Sequence, residues 1–283
     1  MVGAGNSSPR RVEPESSLMS RTVSRRKQRS ATLPSLILQW ADDSALPRKE
    51  VRSPSQKSAR IVGLEAPPWH DTGRRDEQFD FTSHVARLTE DIALRCEELA
   101  HLKVEKLLFT MTQARNAQSH GLQARVTPLR FQNGELLRKR RGALFQVQRF
   151  VVGEEEKLYL VTFCLPRFLN QTFDEKLITL FHELYHIGPK LDGDLRRHEG
   201  RCSLHTRSKR DYDDHMASLA RAYLATRPDP KLSDFLRLDF AQLQHRHGKV
   251  ISVVLPRPKV IPVTLTGDTE QEEQSSSLNS ASR

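Results

Sequence analysis

His182, Glu183, Leu184, Tyr185 and His186 form an H-E-x-x-H pentad. On a helix, residues four apart lie one turn apart on the same face, so both imidazoles reach a single ion. Two neutral nitrogen donors of that kind suit Zn2+. Glu183 stands beside them, where a carboxylate acts as general base toward a water activated by the ion and then returns the proton to a leaving amine. The chemistry implied is peptide-bond hydrolysis by a zinc-dependent hydrolase with a polypeptide substrate. The plain alternative is a histidine pair on the wet face of a surface helix with no metal.

The flanking residues predict a helix around the pentad. Thr172 and Glu175 have the spacing of a capping box, and Gly188-Pro189 stops the helix, so both ends of residues 173–187 are marked. At 100° per residue, Phe173, Leu177, Leu180, Phe181 and Leu184 make one apolar stripe, with His182 and His186 almost opposite its centre. Such a helix buries one side and offers the histidines to a cleft. Two histidines leave a tetrahedral zinc one protein ligand short. His198, Glu199, Cys202 and His205 qualify chemically, as do Asp211 and Asp214. No histidine occurs from Lys190 to Gly193, which excludes the short metzincin spacing.

The segments HELYHIGPKLDGDLRRHEGRCSLH and KRDYDDHM extend the signal well past the pentad. Over residues 113–225 the chain resembles a phage-type and bacterial metallopeptidase family. That family's pattern runs H-E-L-x-H-I-x-P-x-x-D-G-D-L-R-R, then G-R-x-Y-x-H, then a K-x-Y-D helix. This chain departs at Gly188, where the family often has Ser or a second Pro, and at Ser203, where an aromatic is usual. Neither departure touches a candidate ligand. The resemblance implies a zincin-like core and ranks His205 above His198 as third ligand, because His205 matches the histidine of the G-R-x-Y-x-H segment.

The elements around the helix read as α+β. Residues 81–102 carry Val85, Leu88, Ile92, Leu99 and Leu102 at helical spacing. Residues 106–112, 124–131, 143–152 and 157–165 have the β-branched and aromatic content of strands, the last two joined as a hairpin at residues 153–156. A helix follows at 211–225 with Tyr212, Met216, Leu219 and Tyr223 on one stripe. A short helix is expected at 232–240 and an extended arm at 249–263. Strands before the motif helix and helices after it predict a zincin-like core with a small, mostly antiparallel sheet. Zincins bind extended substrate along a strand bordering the cleft, and the 157–165 strand is the expected edge. Tyr212 or Arg197 is placed to stabilise an oxyanion opposite the metal.

Composition frames the site. The chain has 283 residues, 37% hydrophobic, with a formal net charge of +10. Residues 1–62 read as a disordered basic tail, residues 63–263 as the metallopeptidase domain, and residues 264–283 as a disordered acidic, Ser-rich tail. The first 60 residues hold 12 Lys/Arg against 5 Asp/Glu. That tail is either a solubilising extension, the favoured reading, or a weak nucleic-acid contact, because its cations lack interleaved aromatics. A second basic run, Arg138, Lys139, Arg140 and Arg141, follows Asn133-Gly134 and reads as a hairpin tip. No apolar run is long enough to span a membrane and no secretory leader is recognisable, so a cytoplasmic protein is expected. Three cysteines without C-x-x-C fit reduced thiols. Two other functions fit parts of the pattern: a non-catalytic, zinc-stabilised interaction module, and an SprT-like protease acting on DNA-bound proteins. The first has no use for Glu183 as a base, and the second draws on the basic tail.

Overall fold

The computed structural model describes residues 34–54, 70–116, 118, 120–197 and 209–264, all within the unit Pro34–Arg283. In chain order these form β1 (Ile37–Trp40), β2 (Arg48–Glu50), β3 (Phe79–Asp80), α1 (Phe81–Arg95), β4 (Leu107–Gln113), β5 (Ala124–Pro128), β6 (Leu137–Arg140) and β7 (Ala143–Val147). Next come β8 (Arg149–Val152), β9 (Glu155–Lys157), β10 (Tyr159–Leu165), α2 (Phe173–Tyr185), α3 (Lys209–Ala225), α4 (Phe240–His247), β11 (Val250–Val253) and β12 (Val260–Val263). The architecture is α+β with small sheets that mix parallel and antiparallel pairs.

The sheet beneath the motif helix has the order β4-β10-β5, with β10 parallel to β4 and antiparallel to β5. Every residue of β10 is buried. Its Tyr159, Val161, Phe163 and Leu165 join the main core beneath α1, α2 and α3, while Leu160 turns to a second core with Leu108, Phe150 and Val253. A strand covered on both faces reads as a continuous apolar run. Thr110 and Thr162 break the apolar lining with paired hydroxyls, 3.1 Å apart.

This order corrects the expected substrate edge. β10 is paired on both sides and has no row of free N–H and C=O groups to offer. Among the described residues the edges of this sheet are β4 and β5, and β5 is the one that packs beside α2. The sheet is also mixed rather than mostly antiparallel. The expected hairpin is shorter than predicted: β8 pairs with β9 around Gly153, and β10 continues into a different sheet.

Other boundaries shift for local reasons. α1 ends at Cys96, whose backbone is extended, so residues 97–102 form a 3-10 turn and a loop. Residues 230–237 form two 3-10 turns, and the helix proper is α4. The arm at 249–263 contains β11, central in the sheet β2-β11-β3, and β12, which pairs with β7. Residues 37–40 and 48–50, assigned to the basic tail from composition, are β1 and β2. β1 runs parallel to β8 and β2 antiparallel to β11. Strands this short leave little periodicity to read, and their pairing partners lie more than 100 residues away.

Candidate active site

α2 begins as its sequence predicts. The Thr172 hydroxyl accepts from the Glu175 backbone N–H, and the Glu175 carboxylate accepts from the Thr172 N–H at 2.9 Å, closing the capping box. Leu177, Leu180, Phe181 and Leu184 are buried. One turn of α2 departs from the amphipathic pattern. Lys176 is 1% exposed, and its ammonium donates to the carbonyls of Leu236 and Leu238 at 2.9 and 2.7 Å. Burial pushes its pKa down to about 8. A lysine among apolar neighbours leaves no sequence signal that separates it from a solvated one, so this tie between α2 and the 234–238 turn emerges only in three dimensions.

At the other end, His182 and His186 bring their rings together with centroids 4.7 Å apart. His186 is the C-cap residue of α2. Glu183 lies between them in sequence and is buried, reached by the Val126 backbone N–H of β5. Burial pushes its carboxyl up to about 7, and the Val126 hydrogen bond opposes only part of that shift. The acid of the motif is thus sheltered beside β5 while the imidazoles stay partly exposed. Tyr212 of α3 is buried against both histidines, 4.9 Å from the His182 ring and 5.8 Å from that of His186. Burial holds its phenol protonated, raising its pKa above the ordinary tyrosine value. Asp213 places a carboxylate oxygen 3.9 Å from Nδ1 of His182. Asp211 and Asp214, the acids considered from sequence, are exposed. Periodicity alone could not single out Asp213, because its neighbour Tyr212 sets the buried stripe.

The D-G-D-L-R-R segment is a clamp on the C-terminus of α2. The Arg196 N–H donates to the His186 carbonyl at 2.7 Å, its guanidinium donates to the Tyr185 carbonyl at 2.8 Å, and it stacks over the Tyr185 ring at 4.0 Å. Leu195 pairs with Ile187 in an isolated bridge. The Asp194 carboxylate accepts from the N–H groups of Asn133 and Leu195 and takes two bonds from Arg197, at 3.1 and 2.9 Å. The Tyr159 hydroxyl donates to the Asp194 carbonyl at 2.8 Å and accepts from the Gly193 N–H at 3.0 Å. Gly193 has φ +89, and a Cβ there would lie 2.5 Å from Cγ of Arg130. Of the two expected oxyanion donors, Arg197 is paired with Asp194 through Nε and Nη2, and Tyr212 is packed against both histidine rings.

Two imidazoles on one helical turn fit a zinc ion as donors. Among the described residues no third His, Cys, Asp or Glu joins them in a group of three. His198, Glu199, Cys202 and His205 lie outside the described residues. A family model described as putative phage metallopeptidase matches residues 79–226, more than half of the chain. The chain belongs to this phage metallopeptidase family. The matched region runs from β3 through α3, so it spans the central sheet, the motif helix, the clamp and the Tyr212 helix. Membership makes the protein a member of a peptidase family that works with a metal. Comparisons with curated proteins and with solved structures returned no match. No helix among the described residues is long and apolar enough to cross a membrane.

Proposed function

We propose that this member of the phage metallopeptidase family is a zinc-dependent peptide-bond hydrolase in which His182, His186 and His205 hold the ion and Glu183 is the general base. His198 is the alternative third ligand. The observation that carries the reading is the contrast within one helical turn: two partly exposed imidazoles with converging rings beside a buried carboxylic acid. A solvated histidine pair has no need of that buried acid. A zinc ion held there supplies Lewis acidity toward water and the scissile carbonyl.

The chain's own groups account for the rest. The Glu183 carboxylate takes a proton from the attacking water and delivers it to the leaving nitrogen. With an ion held by the two histidines, the Glu183 carboxyl would ionise more readily than its burial alone allows. The Tyr212 phenol, protonated and packed against both histidine rings, is the candidate donor to the developing oxyanion. Asp213 faces Nδ1 of His182 and orients that ring, as a carboxylate commonly does behind a ligating histidine. An extended polypeptide pairs along the free edge of β5, next to the Val126 N–H that reaches Glu183.

Glu183→Gln tests the reading, because it removes the base while nearly conserving volume. Zinc content by elemental analysis and the thermal midpoint should match wild type, while cleavage of a peptide library read by mass spectrometry should disappear. A variant that keeps zinc and cleaves normally refutes Glu183 as base. A wild-type protein that binds one zinc and cleaves nothing fits the zinc-stabilised interaction module instead.

A further inference from the structure

The β6–β7 hairpin carries a feature that peptide hydrolysis does not use. Cross-strand register places Arg138 opposite Phe145 and Phe145 opposite Pro262, so these side chains share one face of the sheet β12-β7-β6. Arg140, two residues along β6, lies on the same face. A groove of about 610 Å³ runs over it, lined by Phe131, Arg138, Arg140, Phe145 and Val260, with no carboxylate in its wall.

Among the described residues these charges have no acidic partner. Arg48, Arg95, Arg130, Arg149, Arg197 and Arg237 each pair with an Asp or Glu. Arg138, Lys139, Arg140 and Arg141 are all exposed and enter no ion pair among the described residues. The hairpin tip adds an independent sign. Arg141 and Gly142 have φ of 50° and 80°, the two positive values of a two-residue turn that matches strand twist. Asn or Gly fits the first of those positions with less strain than arginine. A cation is held there at a conformational cost, which is the kind of outlier that marks function. Guarding an edge strand against aggregation needs charge alone. It needs neither an aromatic groove nor a strained arginine.

We propose that this face binds single-stranded nucleic acid, with Arg138, Arg140 and Arg141 on successive phosphates and a base stacked on Phe145 in the groove. The ligand must offer repeated negative charge together with flat apolar surface, and exposed bases on a phosphate backbone combine the two. The face is joined to the framework of the motif helix. The turn leading into β6 is tied to the clamp by the Asn133 N–H donating to Asp194 at 3.0 Å.

The test is fluorescence anisotropy of a labelled oligothymidylate of about 15 nucleotides, within the site sizes of single-strand binders. Full-length wild type, Arg138→Gln/Arg140→Gln and Phe145→Leu are compared across a salt series. The double variant changes only exposed strand positions, so it should melt as wild type does. It should bind about 10-fold more weakly, with a log–log salt slope shallower by about 1.4, the value for two lost phosphate contacts on a single strand. Phe145→Leu should bind more weakly with the slope unchanged, since it removes stacking and no charge. Wild-type affinity in the double variant overturns the proposal. So does loss of binding only in an Arg25→Gln/Arg26→Gln/Lys27→Gln variant, which would assign the polyanion to the N-terminal tail. Equal binding of a duplex, insensitive to Phe145→Leu, overturns the stacking assignment.

Discussion

Tyr159→Phe removes one oxygen from a fully buried site and tests whether β10 positions the loop behind the motif helix. The phenol donates to the Asp194 carbonyl at 2.8 Å and accepts from the Gly193 N–H at 3.0 Å. Phenylalanine keeps the ring in the core, so no large cavity contributes. Two neutral hydrogen bonds at about 1 kcal/mol each set the expected loss near 2 kcal/mol. The cost rises to about 4 kcal/mol where both backbone groups stay dry, at about 2 kcal/mol for each unsatisfied buried group, the middle of the ~1–3 kcal/mol range. For a chain of this size, a 2 kcal/mol loss corresponds to a drop in thermal midpoint of roughly 4–8 °C. Urea unfolding followed by far-UV circular dichroism measures the loss directly, with an unchanged m-value as the sign that the native state is otherwise the same. The loop leads straight into residues 198–208, where the proposed third ligand lies, so zinc should also leave the variant at a lower chelator concentration. A stability change below about 0.5 kcal/mol with wild-type zinc retention would refute the clamp argument, because it would mean that both backbone groups find equal partners without the phenol.

The remaining predictions address the ligand set and one buried charge. Asp213→Asn should weaken zinc about 10- to 100-fold while leaving the melting curve of the metal-free protein unchanged; competition with a fluorescent chelator reads the first and calorimetry the second, and unaltered affinity would remove Asp213 from the site. His205→Ala should lose zinc at a chelator concentration that His198→Ala tolerates, and the reverse order would transfer the third-ligand role to His198. Lys176 titrates near 8 in the folded chain against an ordinary value of 10.5, so the folded state binds fewer protons between those limits and stability should rise with pH across them. Relative to Lys176→Met, wild type should gain up to about 3 kcal/mol between pH 8 and 10.5, and parallel stability curves for the two proteins would contradict a depressed lysine.

Helix α2 was legible almost residue by residue, because its information is local. The Thr172/Glu175 capping box, the Leu177/Leu180/Leu184 stripe and the Gly188-Pro189 stop all act within one or two turns, so the chain specifies both the helix and the common face of His182 and His186 before anything packs. The Tyr212, Met216 and Tyr223 stripe of α3 was read the same way and is buried. The run from Lys157 to Leu165 was recognisable as a strand, and β10 occupies Tyr159–Leu165 of it. Its place in the sheet was not, since a doubly buried central strand and a well-covered edge have the same composition, and only pairing with β4 on one side and β5 on the other decides between them. β1 and β2 were hidden for a related reason: strands of four and three residues have no period to detect, and their stability comes from partners far along the chain.

The roles inside the site divide along the same line. Residue chemistry singled out His182, Glu183 and His186 as a candidate metal-and-base set, because side-chain type and helical spacing suffice to pick them out. Tertiary structure decided that Glu183 is buried and reached by the Val126 N–H, that Arg197 pairs with Asp194, and that Asp213 lies 3.9 Å from His182. Each of these depends on which element lies against α2, and the forces that choose it are burial and hydrogen-bond satisfaction summed over contacts between residues distant in the chain. The D-G-D-L-R-R segment shows both limits at once. Its letters are a recognisable family signature, yet their physical meaning, an arginine cap on Tyr185, a glycine pressed against Arg130 and a carbonyl held by Tyr159, exists only once β10, β5 and α2 are assembled.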